Sequence, residues 1–222
     1  ESFKDTAQNI EAMKIDAVVM RHPAPGATKH LTNFIDAVVI NAGDGTHEHP
    51  TQAILDMMSL QEKFGYIRGL NVAIVGDINH SRVARSNIYG LVTMGANVTL
   101  CGPPNLLPDN IIDLGVKVNY NIDEVIEWAD AINVLRIQRE RMGIGLIPSE
   151  REYRKLFGIT EKRIKRKEKE IVIMHPGPMN RGVEIDGGVA DSDQAIILDQ
   201  VLNGVASRMS VLYLLLGSKE ED

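Results

Sequence analysis

Six side chains of this sequence stand where types and spacing favour chemistry: Arg21, His49, Gln52, Arg82, Arg136 and Gln138. Arg21 follows the apolar run to Met20, and His49 and Gln52 follow Ala37-Val38-Val39-Ile40 and the turn Gly43-Asp44-Gly45. Arg82 lies just beyond Ile74-Val75-Gly76-Asp77, while Arg136 and Gln138 close the run from Ile132. Short β-branched runs that break at polar or glycine-rich turns read as buried strands leaving a sheet. In open α/β sheets ligands bind beyond the carboxyl ends of the strands. A guanidinium matches carboxylate and phosphate oxygens as a planar fork, so this set would line a cleft that grips anions. In such a cleft His49 could donate to a carbonyl oxygen gaining negative charge, and Gln52 could accept from an amide or amine. The sequence shows no nucleophile beside a base and no carboxylate-rich metal cluster. The chemistry expected is therefore orientation and charge stabilisation.

Plainer readings of the same residues stay open at this point. A strand-end arginine also serves as a surface ion pair, a histidine near a helix start as a cap, and His175 as the anchor of a proline-shaped loop. Val75-Gly76-Asp77 lacks the glycine spacing that admits a dinucleotide pyrophosphate, and no cofactor is expected. A formal charge of −6 argues against a general nucleic-acid binder. Cys101 is the only cysteine, so an intrachain disulfide is impossible, and the strand-like Val98-Thr99-Leu100-Cys101 makes it a small core residue. No apolar run reaches the ~18 residues of a membrane span, no signal peptide is visible, and a cytoplasmic location is expected.

The elements that must hold these residues alternate along the chain. Helices are expected at Asp5–Met13 (capped by Asp5 or Thr6), Ala27–Phe34, Pro50–Phe64, Arg82–Met94, Asp109–Leu114, Asn121–Trp128 and Glu150–Leu156. Pro50 suits a first helical turn, where its missing N–H costs nothing. Strands are expected at Asp16–Met20, Ala37–Ile40, Asn71–Val75, Val98–Leu100, Val116–Val118, Ala131–Leu135 and Ile171–Met174. Glu161–Glu170 interleaves acids and bases and reads as a solvated helix face. Asp193–Leu216 reads as a long amphipathic helix with Ile196, Ile197, Val201, Leu202 and Val205 on its apolar face. The tail from Ser218 is expected to be disordered. This alternation implies an α/β fold of two doubly wound parallel-sheet lobes with a cleft between them. The first lobe is expected to be incomplete, because only two strands precede the helix at Pro50; the others lie before Glu1 or come from another chain.

Met20-Arg21-His22-Pro23, Asn41-Ala42-Gly43-Asp44-Gly45, His49-Pro50-Thr51-Gln52, Val75-Gly76-Asp77 with Arg82, Arg136-Ile137-Gln138-Arg139-Glu140-Arg141 and His175-Pro176-Gly177-Pro178 occur in this order. Together with Glu1-Ser2-Phe3-Lys4-Asp5-Thr6, they make the chain resemble the aspartate carbamoyltransferases over nearly its whole length. The resemblance implies transfer of a carbamoyl group from carbamoyl phosphate to L-aspartate, an early step of pyrimidine biosynthesis. It assigns carbamoyl phosphate to Arg21, His49, Gln52 and the loop backbone at Gly177 and Pro178, with Arg21, His49 and Gln52 catalytic. It assigns the aspartate carboxylates to Arg82 and Arg136, with Gln138 nearby. Residues 1–50, completed by the helix at 193–217, would form the carbamoyl-phosphate-binding domain and residues 51–192 the aspartate-binding domain.

The same resemblance implies a homotrimer with active sites between neighbours, and in some members association with dihydroorotase or a regulatory chain. The family's upstream phosphate loop and its serine and lysine loop have no counterpart here, and Lys4 is a surface residue of the first helix. The expectation is therefore a C-terminal two-thirds that is inactive alone and completed by an upstream N-terminal fragment. Two rivals are ornithine carbamoyltransferase and a non-catalytic scaffold subunit. The former typically carries His-Cys-Leu-Pro where this chain has His175-Pro176-Gly177-Pro178, and a cationic substrate would be repelled by Arg136.

Overall fold

The computed structural model describes residues 2–137 and 149–217. Gln138 therefore lies outside the described residues, as do Arg139, Glu140 and Arg141.

The first lobe opens with α1 (Phe3–Ala12), capped by Ser2 and not, as expected, by Asp5 or Thr6. The Ser2 hydroxyl accepts from the Asp5 N–H at 3.2 Å, and the Asp5 carboxylate accepts from the Ser2 N–H at 3.3 Å. That reciprocal box draws Asp5 into the first turn. Strands β1 (Ala17–His22) and β2 (Val38–Asp44) pair in parallel, with α2 (Ala27–Leu31) between them in sequence. Both strands run past their expected ends, so Arg21 sits inside β1.

Helix α3 (Pro50–Phe64) carries the chain to the second lobe. There β3 (Asn71–Val75), β4 (Asn97–Cys101), β5 (Lys117–Val118), β6 (Ala131–Val134) and β7 (Val172–Met174) form an all-parallel sheet in the order β5-β4-β3-β6-β7. Its helices are α4 (Arg82–Thr93), α5 (Ile122–Trp128), α6 (Glu150–Phe157), α7 (Glu161–Ile164) and α8 (Gly187–Ala190). Ile74 and Leu100 pack into one core with Leu60, Ile88 and Leu91, while Val75 and Ile132 pack into another with Ile122, Ile126 and Ile159. Burial on both faces is why these strands read as continuous apolar runs. The chain grows outward from β3 to β5 and then crosses back to β6, which places the topological switch between β3 and β6. Cys101 is fully buried, and burial pushes its thiol up to about 12, so it is an inert core residue.

Three expectations need correction. Asp109–Leu114 is no α-helix: the segment holds one tight 3₁₀ turn, Ile111–Leu114, and a second such turn, Pro104–Leu106, precedes it. The stretch Glu161–Glu170 is helical only in α7, and two of its cations are structural clamps. Arg163 donates to the carbonyls of Lys155 and Gly158 at 2.8 Å, and Lys167 Nζ donates to those of Ile126 and Ala129 at 2.7 Å. Each satisfies carbonyls left open at a helix C-terminus, where a cation also suits the dipole.

The last helix, α9 (Ile197–Leu216), starts later than expected; Ile196 and Ile197 are buried as expected, but the rest of the expected apolar face is turned outward. Its inward residues are Ile197, Gln200, Asn203, Gly204 and Ser207, whereas Val201 and Leu202 are 66% and 69% exposed and Val205 is exposed too. The inward face is polar because the facing side of α3 is polar: Asn203 Nδ2 donates to Ser59 Oγ at 3.0 Å and to Glu62 Oε2 at 2.7 Å. No described helix is long and apolar enough to cross a membrane.

Candidate active site

A cavity of about 200 Å³ opens where the carboxyl ends of the strands of both lobes converge, lined by Arg21, His49, Gln52, Arg82, Arg136 and the segment Pro176–Pro178. Ser81, Val83 and Leu135 complete the wall. Seven of the eight residues singled out from sequence thus share one hollow. Gln138 lies outside the described residues.

Each side chain arrives by a local rule. Arg21 is delivered by β1. His49 is the N-cap of α3 and Gln52 stands in its first turn, after Pro50 at the helix start. The loop before His49 is held by Asp44, whose carboxylate accepts from Gly26 N–H at 2.7 Å, Asn41 Nδ2 at 2.9 Å and Glu48 N–H at 3.1 Å. Burial pushes the Asp44 carboxyl up, but these bonds and one from His47 outweigh it and hold the group below the usual carboxylate range. The His49 N–H donates to Ser86 Oγ on α4 at 2.8 Å, so the start of α3 is tied to the second lobe. Leu135 N–H donates to the Val75 carbonyl at 2.8 Å, which extends the β3–β6 ladder and brings Arg136 to the switch point.

Arg82 is the first residue of α4, after the cap Ser81, and is buried. Its guanidinium lies across the end of β2, with Nη1 3.5 Å from the Gly45 carbonyl. Gly43 makes this possible: its φ is +116°, and a Cβ there would stand 2.5 Å from Arg82 Nε. The end of β7 is built by His175, which is buried and does not line the cavity. His175 Nδ1 accepts from Gly177 N–H at 2.9 Å, so its proton sits on Nε2, which faces Glu184 Oε1 at 3.3 Å. The structural reading of His175 is the one the geometry supports.

The first turns of α3 and α4 both border the cavity, and helix N-termini favour anions. His49 is the electrostatic exception. Burial first, and then the charges of Arg82, Arg208 and Arg21, lower its pKa to about 4. Its Nδ1 is buried with no hydrogen-bond partner among the described residues. At neutral pH it is an uncharged imidazole that can donate one N–H to a ligand. Because an unfolded histidine titrates near ~6.5, the unfolded state takes the proton first, and this group costs the native state stability progressively as pH falls from about 6.5 to about 4. The His49 ring resonances are expected to show no inflection between ~pH 5.5 and 8 in an NMR titration; a midpoint near the free value of ~6.5 would contradict the neutral assignment.

Sequence reading missed Asp44, Asp56, Ser81 and Ser86, which hold the site from behind or at its rim. Ser81 carried a signal, since a serine immediately before a helix start is a cap. Among the described residues no group of three or more His, Cys, Asp or Glu is placed to hold a metal ion. A larger basic depression of about 530 Å³ lies beside α6 and α7 and includes Arg154 and Arg163. There Arg154 is bound to Asp186 at 2.6 Å and Arg163 to Asp123 at 2.9 Å, and no histidine lines it.

Comparison with known proteins places this arrangement in a class. Residues 1–62 match the family model described as aspartate/ornithine carbamoyltransferase, carbamoyl-P binding domain, and residues 68–215 match that of the Asp/Orn binding domain. The aspartate carbamoyltransferase catalytic subunit of Gemmatimonas aurantiaca is 58% identical over 221 residues, which cover 100% of this chain and 69% of that protein. The catalytic subunit of M. jannaschii aspartate transcarbamoylase superposes with a TM-score of 0.82 at 33% identity, covering 100% of this chain and 73% of that one. The Trypanosoma cruzi aspartate transcarbamoylase in complex with N-(phosphonacetyl)-L-aspartic acid superposes with a TM-score of 0.84 at 26% identity, covering 96% of this chain and 70% of that one. The chain belongs to the aspartate carbamoyltransferase family.

Proposed function

We propose that this chain transfers the carbamoyl group of carbamoyl phosphate to the α-amine of L-aspartate, giving N-carbamoyl-L-aspartate and phosphate in pyrimidine biosynthesis. The observation that supports it best is the shared hollow: three arginines, a neutral histidine and a glutamine on the strand ends of two lobes. Arg21 and the α3 N-terminus meet the phosphate. His49 donates its N–H to the carbamoyl oxygen, Gln52 accepts from the carbamoyl nitrogen, and the backbone at Gly177 and Pro178 closes over that group. Arg82 and Arg136 grip the two carboxylates of aspartate, with Gln138 beside them.

The neutral amine attacks the carbamoyl carbon, and the C=O electrons move onto an oxygen stabilised by His49 and Arg21. The C–O bond to phosphate then breaks, and the amine proton leaves with the departing phosphate. A histidine with a pKa of about 4 donates a hydrogen bond here and takes no proton. On this reading residues 1–50 with α9 form the carbamoyl-phosphate half and residues 51–192 the aspartate half. The assembly is a cytoplasmic homotrimer.

The test is binding of N-(phosphonacetyl)-L-aspartate by the native protein, together with a carbamoyl-transfer assay on aspartate and ornithine. Tight binding and turnover of aspartate alone are expected. In Arg136→Ala the KM for aspartate should rise about 30–1000-fold, the loss of one desolvated charge pair, with the KM for carbamoyl phosphate little changed. A protein that binds no analogue is a scaffold, and one that prefers ornithine refutes the substrate assignment.

A further inference from the structure

Behind the cavity wall lies a buried carboxylate with no place in the mechanism above. Asp56 stands one helical turn after Gln52 on α3 and is 1% exposed. Its Oδ1 accepts from Gln52 Nε2 at 3.0 Å and Gln200 Nε2 at 2.8 Å, and its Oδ2 from Asn87 Nδ2 at 2.7 Å and Asn133 Nδ2 at 3.1 Å. All four donors are neutral carboxamides, drawn from α3, α9, α4 and β6. Burial, the largest influence, raises the carboxyl above the usual carboxylate range, and the four bonds only partly offset it. With two N–H groups on each oxygen there is no acceptor for a carboxylic proton, so the donor set suits the ionised form.

A buried anion held only by neutral groups is a costly choice, and an asparagine would fill the same space more cheaply. The carboxylate offers what a carboxamide lacks: it accepts and never donates. Every carboxamide that touches it must turn its nitrogen inward and its oxygen away. For Gln52 the end left for the cavity is Oε1. For Gln200 the outward end is Oε1 as well, and it accepts from His175 N–H at 3.0 Å, at the root of the Pro176–Pro178 wall.

We infer that Asp56 is a positioning residue that fixes the polarity of Gln52, so that the site presents an acceptor oxygen to the carbamoyl nitrogen. The inference rests on the reading of Gln52 as that acceptor.

A double-mutant cycle in the native enzyme tests it. Asp56→Asn keeps the volume but lets the carboxamides invert. It should lower kcat/KM for carbamoyl phosphate on the order of 10–100-fold, the usual cost of losing the group that orients a binding side chain, with the melting temperature monitored as a control. In a Gln52→Ala background the same change should cost less than about threefold, because the group it orients is gone. The full loss persisting in that background would overturn the inference while leaving Gln52 a substrate contact. Normal activity of Gln52→Ala would overturn the reading of Gln52 and the inference with it. A wild-type measurement covers the case in which Asp56→Asn does not fold. The Gln52 side-chain amide protons, bonded to a buried carboxylate, should exchange slowly with solvent and keep their shifts when carbamoyl phosphate binds. Fast exchange, or coordinates with Oε1 toward Asp56, would refute it.

Discussion

Replacing His49 by alanine is expected to lower kcat by about 10²–10³-fold, the cost of one donor aimed at a developing oxyanion. The KM values should move by less than about threefold, because a neutral N–H adds little to ground-state binding and much more once the oxygen becomes an anion. Steady-state kinetics on both substrates separates the two. The cause lies in burial first and then in three nearby arginines, which hold the imidazole uncharged with a pKa of about 4. The wild-type rate should accordingly carry no His49 inflection above pH 5.5, and a rise with pH in that range belongs to deprotonation of the incoming amine. A kcat near wild type in His49→Ala would remove the oxyanion role. Loss confined to KM would recast His49 as a binding group.

Gly43→Ala should be almost as damaging, although residue 43 contacts no substrate in the proposed arrangement. The alanine Cβ would collide with the Arg82 guanidinium, 2.5 Å from Nε, on a backbone with φ of +116°. Arg82 must then leave the strand end, and the KM for aspartate should rise about 30–1000-fold, as for removal of the arginine itself. Gly43→Ala combined with Arg82→Ala should be little worse than Arg82→Ala alone in KM. Gly65→Ala provides the contrast, since its φ is +79° but a Cβ there meets nothing within 4 Å. That variant should lose stability by about 1–2 kcal/mol and keep its kinetics. Equal kinetic behaviour of the two alanine variants would show that backbone strain, and not the clash with Arg82, governs residue 43.

Much of this site was legible because strand ends are legible. β-branched runs followed by glycine or a polar break identified β2, β3 and β6, and in parallel sheets their carboxyl ends fall on one side, where Arg82, Arg136 and His49 meet. What could not be read was direction. The apolar period of α9 is real, but periodicity names a stripe without saying which stripe turns inward, and here Gln200, Asn203 and Ser207 do. Asp56 sits in a helical run as a charged residue that ordinarily faces water. Only the folded chain shows four carboxamides gathered on it. Lys167 looked like solvated charge because its partners are carbonyls at a helix end distant in sequence, and Arg163 because it folds back onto the end of the preceding helix.

The joint between α3 and α9 has one seated position. Oily helix pairs can creep past one another by fractions of a turn at small cost, since contact between greasy side chains has no bearing. Here the two helices are pinned by oriented bonds, among them Gln200 to Asp56 at 2.8 Å and Asn203 to Ser59 at 3.0 Å, and a slip of a single residue breaks them together. The pair must therefore travel as a rigid rod. Any rearrangement that accompanies the arrival of substrate must leave these bonds in place and therefore falls outside the pair.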